Sequence, residues 1–331
     1  MATASAVSSG DVQIAVRSTI HDCPIMADQK SCIVLGASSQ PGSWLVPSLL
    51  QDGWTVHLIS RGVKPQLEYG ANARWHSLDL RDPTLRFPEV KARVVFDTLG
   101  ASPAWLGAMR SVGAERAILF SSSSVLTKVD STDLVDAQGI ANIVMSERTF
   151  AESCDQQHIA WTIFRPTLIY GGKFGDRTVQ DIARVIRLLG FFPVFGKASG
   201  LRQPVHADDL AIACRQVCDN SATFGKTYQL AGDEILSYRD MVRRIFQAMG
   251  KTPRFLRIPL PVFELAAKVL RLHPRYAHIR SSMAERMQKD MTFSNDAATL
   301  DFGYEPRRFK PVVGAGAPVL AGHPEAERAA K

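Results

Sequence analysis

The stretch Ser31 to Gly62, SCIVLGASSQPGSWLVPSLLQDGWTVHLISRG, decides the fold. Cys32 to Leu35 is an apolar run of strand length, and Gly36 ends it. Gly42 opens a segment with apolar residues at Trp44, Leu45, Leu49 and Leu50, a spacing that predicts a helix. Gly53 stops that helix. Thr55 to Ile59 is a second buried-strand run. Strand, glycine turn, helix and strand in this order form the phosphate-binding half of a dinucleotide fold. Gly36 permits the tight turn, and Gly42 lets helix and backbone approach a pyrophosphate. The N–H groups at the helix start then face the phosphate charge. Ser39 stands where the usual middle glycine would be. The expected cradle is therefore Gly36, Ser38, Ser39, Gln40, Pro41 and Gly42; the competing reading is a nucleotide-fold turn that binds nothing.

The end of the second strand carries a cofactor preference. NAD-binding chains commonly place an acidic residue there for the ribose 2′-OH, and this chain has Ser60-Arg61. Arg61 would meet a 2′-phosphate through charge-assisted hydrogen bonds, which favours NADP(H), with NAD(H) as the other option. A solvated surface arginine is the competing explanation.

The 331 residues permit one large domain or two smaller ones, and 46% apolar residues suffice for a real core. No apolar run reaches transmembrane length. The five cysteines, Cys23, Cys32, Cys154, Cys214 and Cys218, form no metal or disulfide framework, and their odd number fits a reducing compartment. Residues 1–28 lack the continuous apolar core of a secretory signal and read as a flexible extension. Residues 313–331, rich in Ala, Gly and Pro, read as a disordered tail. The formal charge is +7 and uneven: between Arg239 and Asp290 basic residues outnumber acidic ones by about three to one. That excess favours an anionic ligand, an acidic protein surface or anionic lipid. No recognition module for nucleic acid is visible.

Further along, Ala73 to Leu80 reads as a third strand, with Asp79 and Leu80 at its end where an adenine amino group would be met. A turn or cap role for Asp79 is the alternative. Ala92 to Phe96 is a fourth strand; Leu99 and Gly100 follow it, over the sheet edge where open α/β sheets bind ligands. Ala117 to Phe120 is a fifth, running into Ser121-Ser122-Ser123-Ser124. Ile159 to Phe164 is a sixth, followed by Arg165-Pro166-Thr167-Leu168-Ile169-Tyr170-Gly171-Gly172. Helical segments intervene, notably Asp133 to about Ser153. The alternation predicts an α/β fold, a Rossmann-type doubly wound parallel sheet with helices on both faces.

The glycine loop, the serine run, RPTLIYGG, VHADDLA (Val205 to Ala211) and FGYEPRRF (Phe302 to Phe309) occur in an ordered series. In this the sequence resembles the extended short-chain dehydrogenase/reductase superfamily, of the NAD-dependent epimerase/dehydratase type, over most of residues 31–312. The resemblance implies a dinucleotide-binding domain over 29–172, also receiving segments near 204–220. It further implies a small discontinuous C-terminal α/β substrate lobe, mainly 173–312. Cofactor would lie on the glycine loop, Arg61, Asp79, Leu80, Leu99, Gly100, Ser121, Pro166 and Thr167.

One departure matters. Catalytic members carry Tyr-x-x-x-Lys on the helix after the serine run, the tyrosine as acid/base and the lysine lowering its pKa. Counting back from Arg165 puts those roles near Gly139 and Ile143. The interval Ser121 to Arg165 contains no tyrosine, and its only lysine is Lys128. Ser123 falls where the superfamily's catalytic Ser/Thr lies, but a serine alone is a poor acid at neutral pH. Tyr170, on the ligand side of the sixth strand, would donate a proton or stack on substrate; aromatic packing is its alternative. Lys173 and Asp176 occupy the adjacent loop. His206, Asp208 and Asp209 look like a cluster, yet the two aspartates fit helix capping better. No metal site is expected.

A narrower resemblance follows. Arg257 to Leu272, Glu285-Arg-Met and Asp290-Met look like the nucleotide-binding accessory subunit of respiratory complex I and its bacterial relatives. That group keeps an NADPH-type site without the tyrosine–lysine pair, which implies a non-catalytic or regulatory cofactor and docking to a membrane assembly. Pro261 to Leu272 reads as a short apolar helix with Lys268, Arg271 and Arg275 beside it, covering the lobe's core, a pocket, a partner or a membrane surface.

Three functions compete. The leading one is an NADP(H)-dependent atypical oxidoreductase acting on a small organic substrate. The second is a non-catalytic NADPH-binding accessory or sensory protein of a membrane-associated assembly. The third is a sugar-nucleotide epimerase or dehydratase, ranked last because those reactions use the missing tyrosine. The expected location is cytoplasmic, with peripheral membrane association as an option.

Overall fold

A computed structural model describes residues 30–60, 69–80, 82, 90–100, 103–127, 134–259, 261–262 and 287–313. The strands are β1 (Ser31–Leu35), β2 (Thr55–Ser60), β3 (Ala73–Ser77), β4 (Val94–Asp97), β5 (Arg116–Phe120), β6 (Ala160–Pro166), β7 (Ile169–Tyr170), β8 (Phe192–Phe195), β9 (Leu201–Arg202), β10 (Val205–His206), β11 (Lys226–Leu230), β12 (Leu236–Ser237) and β13 (Phe255–Ile258). The helices are α1 (Gly42–Gln51), α2 (Pro103–Leu106), α3 (Met109–Val112), α4 (Ser124–Thr127), α5 (Leu134–Gln156), α6 (Arg177–Leu189), α7 (Ala207–Val217), α8 (Tyr238–Ala248) and α9 (Asp296–Phe302).

The main sheet has seven strands in the order β11-β6-β5-β4-β1-β2-β3. Every pairing in it is parallel. Strands buried on both faces read as continuous apolar runs, which is why Cys32 to Leu35 and Val94 to Phe96 show no polar alternation. Alternate residues serve opposite layers. Cys32 and Val34 pack with Leu45 and Leu49 of α1 and with Leu210 and Cys214 of α7. Ile33 and Leu35 pack with Trp105 of α2, Met109 of α3 and Phe150 of α5. The result is the doubly wound, three-layer Rossmann-type arrangement.

The C-terminal lobe has its own core. There α6 and α8 meet β8 through Ile182, Ile186, Val242, Phe246 and Val194. Asp176 caps α6 by accepting from the Val179 N–H, and Ser237 caps α8 by accepting from the Asp240 N–H. The chain then returns to the first domain: α9 packs Ala298 and Phe302 into the core beside Tyr228 of β11.

Three details differ from the sequence reading. The third strand stops at Ser77, short of Asp79 and Leu80. β11 is a seventh strand of the sheet, in a segment to which the sequence reading assigned no element. The cap of α7 is His206, whose Nδ1 accepts from the Asp208 N–H at 3.1 Å, rather than either aspartate. Asp209 is buried and instead accepts from the Arg307 backbone N–H and Nε, at 2.9 and 2.6 Å, while Asp208 takes Arg307 Nη2 at 2.8 Å. Of the helix expected over Pro261 to Leu272, only residues 261–262 are described. Arg61 and Lys128 lie outside the described residues.

Candidate nucleotide site

The strand order reverses between β1 and β4, the place where open α/β sheets leave a crevice beyond the strand ends. Leu35 is in register with Asp97, so Gly36 and the segment Thr98–Gly100 emerge side by side. The turn at Gly36 has φ +84°, a left-handed conformation that suits glycine. A Cβ on Gly36 would overlap Leu99 and Thr98, and one on Gly42 would overlap the Gly36 carbonyl. Both glycines therefore hold the loop in its close-packed form.

Ser39 replaces the missing glycine by chemistry. Its Oγ accepts from the Gly42 N–H at 3.0 Å and lies 2.8 Å from Thr98 Oγ1. Thr98 Oγ1 is also within hydrogen-bond distance of the carbonyls of Leu35 and Gly36, 2.7 and 3.0 Å away. The loop itself consumes donors that the sequence reading assigned to a phosphate. Gly42 N–H goes to Ser39 Oγ, Ser43 N–H to Ser39 O and Trp44 N–H to Pro41 O, and Pro41 has no N–H. Among the described residues the N–H groups of Ala37, Ser38 and Gln40 have no partner, so the anion-facing donors sit earlier in the loop than the helix start.

Asp97, fully buried at the end of β4, organises the opposite wall. Its Oδ1 accepts from the Leu99 N–H at 2.9 Å and its Oδ2 from Trp105 Nε1 at 3.1 Å, with Gly100 N–H as a further donor. Burial pushes its carboxyl up to about 6, against the pull of those donors. Leu99, 59% exposed, is thus held out beside the glycine loop. Thr98, Asp97 and Trp105 were not singled out from the sequence; a polar residue after an apolar strand reads only as a turn.

The neighbouring wall comes from β5 and β6. Ser121 N–H donates to Phe164 O at 2.7 Å and Ser123 N–H to Pro166 O at 3.1 Å, which brings the serine run against Pro166. Ser121 Oγ is buried with no partner among the described residues. Ser123 is buried. Thr167 is spent on structure: its hydroxyl donates to Gln203 O and its N–H to Leu230 O. Leu80 is also structural, packed in the core with Ile59 and Ala92. Asp79 is half-buried, and its carbonyl accepts the Asp82 N–H at 3.0 Å.

The loop Gly171–Asp176 clips onto the start of α1. Trp44 Nε1 donates to Gly171 O at 2.7 Å, and Lys173 N–H donates to Ser43 Oγ at 3.0 Å. Lys173 Nζ stands 4.1 Å from the Trp44 ring, a cation–π contact. A Cβ on Gly172 would overlap Gln40, whose Nε2 is buried without a partner. Asp176 is a structural residue, since besides capping α6 it accepts the Gly171 N–H at 2.7 Å.

Tyr170 occupies the aromatic packing environment that was its alternative reading. It is 1% exposed, wedged between His206 and Phe309 at ring distances of 5.0 and 4.8 Å. Its hydroxyl donates to Arg308 O and accepts from the Lys310 N–H. Burial raises its pKa, and both hydrogen-bonding roles of the hydroxyl are taken. On α5 the two positions implied for the tyrosine–lysine pair are Gly139, with open space where a Cβ would be, and half-buried Ile143. Further along α5, Glu147 receives Arg165 in a bidentate pair, at 2.8 and 2.5 Å, a contact that ties the helix to β6.

A dinucleotide fits these features. Three unpartnered loop N–H groups, a glycine cradle, a buried orphan hydroxyl at Ser121 and a buried orphan amide at Gln40 are polar groups awaiting partners. Among the described residues no group of three or more His, Cys, Asp or Glu gathers as metal ligands. The described cysteines, Cys32, Cys154, Cys214 and Cys218, are free and buried, and burial pushes Cys154 and Cys218 up to about 12.

Such a fold defines a class, the Rossmann-type proteins built like nucleotide-sugar epimerases and dehydratases. The dTDP-glucose 4,6-dehydratase of Streptomyces venezuelae, solved with NAD bound, superimposes with a TM-score of 0.64 at 15% identity, covering 84% of this chain and 92% of that one. The UDP-glucuronic acid 4-epimerase of Bacillus cereus, also solved with NAD, gives 0.61 at 17% identity over 84% and 92%. At these identities the likeness establishes the fold. By sequence the chain is similar to NADH dehydrogenase [ubiquinone] 1 alpha subcomplex subunit 9, mitochondrial. The Arabidopsis thaliana protein is 27% identical over 107 residues, 32% of this chain and 26% of that protein. The Dictyostelium discoideum protein is 26% identical over 144 residues, 42% and 39%. The matched stretches thus span about a quarter to two fifths of these relatives. No family model matches the chain. No helix among the described residues is long and apolar enough to cross a membrane.

Proposed function

We propose that this protein binds a nicotinamide dinucleotide, NADP(H) in preference to NAD(H), in the crevice between β1 and β4, and keeps it as a structural or sensory ligand. The observation that carries the reading is the set of unpartnered donors, Ala37, Ser38 and Gln40 N–H, beside a crevice wall whose shape Asp97 fixes. Arg61 supplies the preference for a 2′-phosphate, in a position where an acidic residue would favour the plain ribose. Ser121 Oγ and Gln40 Nε2 would gain partners on binding. A bound nicotinamide would supply hydride chemistry. The chain, however, offers no proton relay at Gly139 and Ile143, and the Tyr170 hydroxyl is committed to its own backbone. That combination favours a held cofactor over a turned-over one. It agrees with the likeness to a subunit of a respiratory NADH dehydrogenase, which supports an accessory role with a protein partner.

A second reading is favoured by Ser123, buried next to Pro166 at the crevice. Here the protein is an atypical oxidoreductase acting on a small organic substrate under the C-terminal lobe, with water as proton donor. A sugar-nucleotide epimerase or dehydratase ranks behind both, because nothing described replaces the missing tyrosine.

Calorimetric titration with NADPH and NADH, on the wild type and Arg61→Ala, tests the site. The expected result is NADPH binding that weakens at least tenfold in the variant, with NADH weaker throughout. Absence of binding by either nucleotide would overturn the proposal. Substrate-dependent NADPH oxidation in a screen of small carbonyl and enone compounds would move the conclusion to the second reading.

A further inference from the structure

The C-terminal lobe ends in a surface that the nucleotide site does not use. Residues 182–202 and 241–259 together carry nine basic residues, Arg184, Arg187, Lys197, Arg202, Arg243, Arg244, Lys251, Arg254 and Arg257, and no acidic one. Three of the nine are paired, Arg184 with Asp181 at 2.8 Å, Arg243 with Asp240 and Arg244 with Glu234 at 2.6 Å, and Arg202 is buried. The segments are neighbours in space because β8 and β13 pair in parallel, so their amino ends lie together. The Phe192 N–H donates to Arg254 O at 2.8 Å, which sets the turn Lys251–Arg254 beside the end of α6.

Apolar side chains project from this same end. Leu188 is 81% exposed and Leu189 45% exposed, at the last turn of α6 before Gly190 reverses the chain. Leu256, 49% exposed, stands opposite Pro193 in the β8–β13 pair. All three leucines are exposed to solvent. Lys251 and Arg254, both exposed, lie in the turn that leads into the strand of Leu256. Projecting leucines with cations in the adjoining turn match an anionic lipid surface, where apolar tips enter the acyl boundary and cations meet headgroups. A folded acidic protein would instead need a complementary concave surface for each leucine.

We propose that the tip formed by Leu188, Leu189, Leu256, Lys251 and Arg254 docks this protein onto the surface of an anionic phospholipid bilayer. The docking does not depend on the nucleotide reading, and it is tested without nucleotide. The full chain is sedimented with phosphatidylcholine vesicles that either contain or lack about one third phosphatidylglycerol, at low and high salt. Binding is expected only to the anionic vesicles and is expected to weaken with salt. The pair Lys251→Glu and Arg254→Glu should lower partitioning at least about twenty-fivefold, from roughly fivefold per charge removed. Leu188→Ser with Leu189→Ser should lower it about tenfold with no change in net charge. Lys91→Glu, a charge reversal on an exposed lysine of the first domain, serves as the control and should change partitioning less than threefold. Equal binding to neutral vesicles, no binding to either kind, a Lys91→Glu loss matching the tip variants, or a serine variant that binds like the wild type would each overturn the proposal. The last outcome would identify a general polyanion surface instead.

Discussion

Replacing Asp97 with asparagine tests the electrostatic account of the crevice wall. Burial holds the Asp97 carboxyl at about 6, while an unfolded aspartate titrates near 4. Between those values the native state keeps a proton that the unfolded chain has released. The stability from this group is therefore fully present below about pH 4 and is lost as the pH rises through about 6. Two units of difference correspond to about 3 kcal/mol. His57 opposes it in the same window. Burial first, then His76 and Arg74, hold its imidazole down to about 4, so its contribution is present above about 6.5 and is lost as the pH falls. The wild-type curve alone would therefore hide both effects, and the difference between wild type and variant isolates Asp97. Asparagine has no proton to lose, and the cost of turning an amide toward the Trp105 and Leu99 donors is independent of pH. Urea unfolding of both proteins from pH 4 to 7.5 should show the difference in stability swing by about 3 kcal/mol in the variant's favour toward high pH. A flat difference across the range would refute the reasoning.

Three other outcomes follow from the geometry. Gly42→Ala would drive a methyl group into the Gly36 carbonyl; it should cost about 2 kcal/mol in urea unfolding and abolish measurable nucleotide binding in the calorimeter. Arg307→Ala would leave the buried Asp209 carboxylate without its guanidinium; a loss of about 2–3 kcal/mol is expected, and a melting temperature unchanged within a degree would contradict it. Tyr170→Phe should lose about 1 kcal/mol of stability by releasing Arg308 O and Lys310 N–H, and leave nucleotide affinity unchanged. Unaltered stability together with a hundredfold fall in any turnover found by the substrate screen would instead restore Tyr170 as a proton donor.

The central strands were legible because burial on both faces leaves continuous apolar runs, as in Cys32 to Leu35. The glycine turn was legible because backbone closeness at Gly36 and Gly42 has a residue-type signature. The edge strand Lys226–Leu230 was not, since its outer residues are exposed and only Tyr228 and Leu230 face the core. Tyr170 shows the same limit at the candidate site. A tyrosine at a strand's carboxyl end has one appearance in sequence whether it faces a ligand or a phenylalanine from the chain's far end. Asp97 was passed over because its partner, Trp105, is brought to it by packing on the far side of a loop. The loop's spent donors escaped notice because they turn inward on the loop itself, to Ser39 Oγ, Ser39 O and Pro41 O.

The sheet's outermost strand, the helix covering it and the Arg307 clasp all come late in the chain. A ribosome that has made the glycine loop and the first six strands has therefore not finished the first domain. Until Lys226–Leu230 emerges, β6 presents an open edge to other nascent chains, and until Phe302 and Arg307 follow, the core beside Tyr228 stays uncovered. Closure of the first domain's sheet is thereby tied to synthesis of the lobe that lies between.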